Sequence, residues 1–152
     1  MKICKTPRLN NRGAAAVEFA ILVPIWFLLF FGMLDYAWYL TNVMVMENAV
    51  ASGARAGVKV KYWLDPGDEQ YQDPKSIAKN AVSHAFWLDE SFNTSGISVR
   101  FKDTDNNYPE EDEAYQYLEV KVIDYEYTPL TGYLSEKMIP RKISAVSLLA
   151  FP

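Results

Sequence analysis

Apolar residues are spaced differently in successive parts of the chain, and each spacing implies a different element. From Ala14 to Leu34 the run is continuous, 21 residues in which Glu18 is the only charge. Roughly 20 residues at about 1.5 Å rise cross the hydrocarbon core of a bilayer, so this stretch is long enough for a transmembrane helix. Beyond Asp35 the run thins to a stripe: Leu40, Val43, Met44, Glu47, Val50, Ala51, Ala54 and Val58. Its mostly helical spacing predicts that the same helix continues, with no breaker before Gly53. Residues 59 to 73 read as a loop, with Asp65-Pro66-Gly67 a turn signal. A second helix is predicted to start where Asp73 can cap and Pro74 suits the first helical position. Its apolar face is Ile77, Ala78, Ala81, Val82, Ala85 and Phe86, ending near Leu88.

After Asn93-Thr94-Ser95-Gly96 the period becomes two. Ile97, Val99 and Phe101 alternate with Ser98, Arg100 and Lys102, as in a half-buried strand. A second strand is predicted from about Tyr115 to Tyr127, with Leu118, Val120 and Val122 on one side. Ile123, Tyr125 and Tyr127 then continue on the other parity, and such a phase slip implies a bulge or a second buried face. Pro129 and Gly132 turn the chain into a third strand, Lys142 to Ala150, carrying Ile143, Val146, Leu148 and Leu149. The predicted class is α+β: a long N-terminal transmembrane helix running into a small domain with a second helix and an antiparallel sheet of about three strands.

Charge orients this layout. The first 13 residues hold Lys2, Lys5, Arg8 and Arg12 and no acid, leaving 11 basic against 19 acidic residues in the remainder, a net of −8. The positive-inside rule keeps the basic head in the cytoplasm and puts the acidic part outside. That acidity argues against a nucleic-acid partner, which requires a basic face for phosphates. The exit from the apolar run, Asp35-Tyr36-Ala37-Trp38-Tyr39, has the composition of an interfacial aromatic belt and lacks the small-residue pattern of a signal-peptide cut. Cys4, in the basic head, is the only cysteine, so no disulfide can form within the chain.

Glu18 is the residue that a plain anchor does not need. A mid-helix acid costs about 2.5–3.5 kcal/mol to insert, less near an end, and intramembrane ionisable groups usually have a partner. Cutting the chain between Gly13 and Ala14 would supply one: a new α-amine four residues before Glu18, protonated at neutral pH. The pairing could form within one helix or with the amine of another subunit, and the residues alone permit both. They also leave open a monomeric signal-anchored periplasmic binding or adhesion module in which Glu18 is incidental. Pro24 lacks an N–H and crowds the carbonyl of Ala20, which predicts a kink or loosening there.

The stretch GAAAVEFAILVPIWFLLFFGMLDYAWY resembles the start of the type IV prepilin class, in which a basic leader ends in glycine and the fifth mature residue is glutamate. Within that class it is similar to the TadE-like minor pseudopilins of tight-adherence (Tad/Flp) pilus systems, as is ENAVASGARAG at residues 47 to 57. The resemblance covers the first 57 residues; Phe19 stands where the short major pilins usually place tyrosine. It implies a leader of residues 1–13, cleaved by a prepilin peptidase between Gly13 and Ala14, a transmembrane helix of 14–34, and a periplasmic pilin-like domain of 35–152. It also implies a single-pass protein of the bacterial inner membrane, reaching the pilus or cell surface after assembly. Its partners would be other pilin and pseudopilin subunits, the inner-membrane assembly platform and membrane lipid, in a structure serving adhesion and secretion. Glu18 and Phe19 would set subunit register.

Other chemistry is thin. Asp103, Asp105 and Asn107 match the first, third and fifth positions of a calcium loop, but Tyr108 stands where glycine is needed and Ala114 where a bidentate glutamate belongs. Glu110, Glu111, Asp112 and Glu113 nearby could gather a hard cation in three dimensions, but read first as part of a solvated hairpin loop. His84, the only histidine, reads as a surface residue, and no zinc site, other metal or cofactor is expected. Without a G-x-S-x-G elbow or a phosphate-cradling glycine loop, an enzyme is not expected. Gly53 and Gly57 have GxxxG spacing, read as close packing of the helix on the domain's own sheet, with Arg55 a solvated or capping charge. Tyr62, Trp63, Trp87, Tyr108 and Tyr133 suit subunit contacts or core packing.

Overall fold

The computed structural model describes residues 12–60, 72–89, 92, 94–103 and 116–151. The predicted 59–73 loop turn and the calcium-like loop beyond Asp103 lie mostly outside these residues, as do Tyr62, Trp63, Tyr108 and the basic head before Arg12. The described elements are helix α1 (Arg12–Val58), helix α2 (Pro74–Ala85), a 3₁₀ turn (Thr94–Gly96), and strands β1 (Ile97–Lys102), β2 (Tyr117–Glu126) and β3 (Lys142–Ala150). The strands form an antiparallel meander in the order β1-β2-β3. The predicted α+β class and element order are those observed.

Helix α1 is one continuous element of 47 residues, and Pro24 does not interrupt it. Its second half belongs to the domain and packs against α2, β3 and β2. The buried face there is Asn42, Met46, Ala49, Val50, Gly53, Ala54 and Gly57, a correction to the predicted stripe: Met44 and Glu47 are exposed. The buried Asn42 fits the face because its Nδ2 donates to the Trp38 carbonyl at 2.9 Å, which meets its need in apolar surroundings.

Helix α2 begins as its local chemistry dictates. The Asp73 carboxylate accepts from the N–H groups of Lys75 and Ser76, both at 3.0 Å, and Pro74 occupies the first turn. The helix ends at Ala85, before the predicted Leu88, and buries Pro74, Ala78 and Val82. His84 is exposed, as expected.

The inner face of the sheet carries Ile97 and Val99 from β1, Leu118, Val120 and Val122 from β2, and Ile143 and Ala145 from β3. Cross-strand pairs Val99↔Val120 and Val122↔Ala145 hold these side chains in register. The phase slip in β2 is a bulge. Register shifts between Val122 and Tyr125, and Asp124 adopts φ 54°. Ile123 is thrown outward while Tyr125 and Tyr127 return to the core side, where Tyr125 meets Phe86 and Phe92 at ring separations of 5.1 and 5.4 Å. On β3, Val146 and Leu148 face outward, so the apolar content of this strand does not all enter the core.

The GxxxG pair serves contact within the chain. A Cβ on Gly53 would meet the Val82 side chain and lie 2.8 Å from the Ala78 carbonyl oxygen; one on Gly57 would meet Leu118 and lie 3.1 Å from the Pro74 carbonyl oxygen. The close approach is therefore mainly to α2, with Leu118 of the sheet reached at Gly57. Backbone oxygen cannot swing aside as a side-chain end can. Replacing Gly53 by valine should force α1 and α2 apart and cost about 3 kcal/mol, whereas the same change at Gly96, which has open space, should cost under about 1 kcal/mol. Urea unfolding of the full chain in detergent checks the difference.

Candidate functional site

The N-terminal half of α1 has no cover from its own domain. Every residue from Gly13 to Phe30 is exposed except the half-exposed Val23. Phe19 is 68% exposed and Trp26 70%. A helix apolar on all sides and exposed on all sides needs lipid or other helices around it, since water would charge about 25 cal/mol for each Å² left bare. It is the one helix among the described residues long and apolar enough to cross a membrane.

The predicted site residues share this helix. Gly13, Ala14, Glu18, Phe19 and Pro24 are all helical and exposed. Ala14 and Glu18 are four residues apart, on one face. Among the described residues no salt bridge or hydrogen bond reaches Glu18. Glu18 and Asp35 bracket 16 residues free of charge, and 17 steps at about 1.5 Å put the two carboxylates about 25 Å apart along the axis.

Asp35 is the buried carboxylate whose partners the sequence does not reveal. Only 2% exposed, it accepts from the backbone N–H groups of Thr131 at 2.8 Å, Tyr133 at 3.0 Å and Leu134 at 3.2 Å. Gly132, with φ 68°, takes the left-handed conformation that lets the N–H groups on either side of it converge on one carboxylate. Burial alone would raise the Asp35 pKa. The hydrogen bonds from the Thr131 N–H and hydroxyl, Leu134 and Tyr133 outweigh it and hold the carboxyl below its usual 3.8.

Neighbouring contacts extend the same seam. Trp38 Nε1 donates to the Thr128 carbonyl at 3.0 Å, and Tyr39 lies 5.9 Å from Tyr127 between ring centres. Burial, then the nearby Tyr39 and Asp35, push the Tyr127 phenol pKa up, with Arg141 opposing. The Asp35–Tyr39 segment is thus only partly the outward belt that its composition predicted: Trp38 and Tyr39 turn toward the domain, and Tyr36 alone of the three rings stays more than half exposed. Just below, Phe31 approaches Tyr133 at 6.0 Å, and Leu134 covers Gly32. The loop between β2 and β3 is consequently fastened to α1 at the end of the apolar run.

A carboxylate beneath a hairpin loop has one obvious local signal, an acid directly after a membrane-length run with no cation nearby. Nothing in the periodicity points to its partners, which lie 96 to 99 residues away. Trp87, 70% exposed, and Tyr133, 54% exposed, remain available for contacts outside the domain. Among the described residues no group of His, Cys, Asp and Glu is placed to hold a metal.

Compared with known proteins, residues 13–55 match the model of the family described as TadE-like protein. No curated protein and no solved structure matches the chain.

Proposed function

From an N-terminal helix that is TadE-like over residues 13–55, we infer that the chain is a Tad-pilus-associated structural subunit, a minor pseudopilin anchored in the bacterial inner membrane. The observation that carries this reading is the bare half of α1, a membrane-length apolar rod whose lone carboxylate finds no hydrogen-bond or ion-pair partner among the described residues. Such a surface is built to be covered, first by lipid and then by the helices of neighbouring subunits. The small domain on its C-terminal half has the helix-on-sheet layout of a pilin-like body. The chain is not an enzyme on this reading, and its partners are other pilin and pseudopilin subunits and the inner-membrane assembly platform.

Processing comes first. A prepilin peptidase cuts between Gly13 and Ala14, and the new Ala14 amine meets a Glu18 carboxylate, of its own or a neighbouring helix, in surroundings where an unpaired charge is expensive. Pro24, with no N–H to offer Ala20, gives the rod a point of local adjustment during packing. Mass spectrometry of the protein purified from membranes of its native host should find a mature chain that begins at Ala14. Replacing Gly13 by a bulky residue should leave the leader attached. An intact Met1 terminus in cells that possess the peptidase would overturn the reading.

A further inference from the structure

We propose that the Leu130–Leu134 tip of the loop between β2 and β3 is a membrane-contacting foot, seated at the headgroup boundary of the bilayer that α1 crosses. The inference rests on the membrane-spanning reading of α1 and goes beyond it by assigning a lipid contact to the globular domain. Its starting point is length. The apolar run from Ala14 to Leu34 has 21 residues, about 32 Å of helix, and filling a hydrocarbon core of about 30 Å takes nearly all of it. The turn from Phe31 to Leu34 therefore has to lie in the membrane or at its edge.

The loop is packed on that very turn. The Tyr133 ring is 6.0 Å from Phe31, and the Leu134 side chain lies over Gly32, where a Cβ would sit 3.7 Å from its Cδ2 atom. A segment seated there cannot stand clear in bulk water. Its exposed side chains suit the position: Leu130 is 56% exposed and Tyr133 54%, and Tyr133 carries an apolar ring with a polar tip, the type enriched at membrane interfaces. Its backbone suits it as well. Irregular backbone near lipid is costly when its N–H groups are unpaired, and Asp35 takes those of Thr131, Tyr133 and Leu134. The same bonds hide the carboxylate that ends the span. Continuity with the membrane-crossing helix thus selects lipid as the occupant over a second protein.

The test uses the full chain with Cys4→Ser, carrying single cysteines for an environment-sensitive fluorophore: Leu130→Cys, Tyr133→Cys, Ile25→Cys within the span, and Trp87→Cys on the domain surface. Each is reconstituted in phosphatidylcholine–phosphatidylglycerol vesicles and quenched either by shallow spin-labelled lipid or by iodide on both sides. Labels at Leu130 and Tyr133 should show several-fold stronger lipid quenching than the label at Trp87. Equal quenching at all three, with Ile25 still deep in lipid, would overturn the foot and leave the span standing. Labels at Leu130 and Tyr133 that are shielded from lipid and iodide alike would show a protein contact there and also overturn it. If Ile25 itself escapes lipid quenching, the span fails and the foot with it.

Discussion

Replacing Asp35 by alanine should cost about 2 kcal/mol of domain stability and free the loop between β2 and β3. Hydrogen bonds to a charged group are worth about 1.5–3 kcal/mol each in mutational series, and they are not additive when the donors act together. Thr131, Gly132 and Tyr133 are themselves exposed, so solvent lies close to the carboxylate and screens part of the interaction. That keeps the total near one such bond, although three N–H groups lose their acceptor. Hydrogen exchange separates this effect from general loosening. The amides of Thr131, Tyr133 and Leu134 should exchange slowly in the native protein and fast in Asp35→Ala, while the β2–β3 ladder stays protected.

The same residue gives the domain a pH dependence. The folded-state pKa of Asp35 lies below its usual 3.8, so its contribution is fully present above that value. It is lost as pH falls through the lowered folded value, because acid must protonate a carboxylate that the fold holds ionised. Urea midpoints of the full chain in detergent should therefore show a gap between wild type and Asp35→Asn that is constant from pH 7 to about pH 5. The gap should close in stronger acid. One that widened on acidification would mean that the carboxyl is held neutral by burial instead.

Much of the fold was legible because its signals are local. The cap at Asp73 and the proline after it fix the start of α2 within a few residues of chain, and β3 runs from Lys142 to Ala150 as its composition indicates. The parity change after Val122 is visible in the sequence as a bulge or a second buried face, and the shifted register between Val122 and Tyr125 selects the bulge. The helix stripe was read less well. Helical spacing puts Met44 and Glu47 on the stripe where the structure exposes them, while the true face includes Asn42, which bonds within its own helix; the two glycines do pack closely, but mainly on α2 and not on the sheet. Val146 and Leu148 mislead as well, as apolar residues on the outer face. At the candidate site, Glu18 stands out as a charge in an apolar run. Asp35 is marked only by its place at the end of that run, and its role depends on a loop almost a hundred residues later that only tertiary structure brings near.

Glu18→Ala should leave insertion and leader removal intact and reduce co-assembly by at least tenfold. Alanine removes a charge that costs about 2.5–3.5 kcal/mol at mid-helix and less at Glu18's place near the end of the span, so the anchor should insert as well or better. The folded domain should not notice, because no described residue hydrogen-bonds or ion-pairs with the carboxylate. What is lost is the pairing with a protonated terminal amine. A pair of opposite charges at 4 Å is worth about 4 kcal/mol at an effective dielectric of 20, and even half of that changes an association constant more than tenfold. Glu18→Gln distinguishes charge from shape: it keeps the side-chain length and can accept a hydrogen bond, yet should remain closer to alanine than to wild type if ion pairing sets the register. Co-purification of assembled pili from cells expressing each variant, with the mature N-terminus checked in the same sample, gives the readout. Normal pilus recovery with Glu18→Ala, alongside a correctly cut terminus, would remove the register role from Glu18 while leaving the membrane anchor and the domain as described.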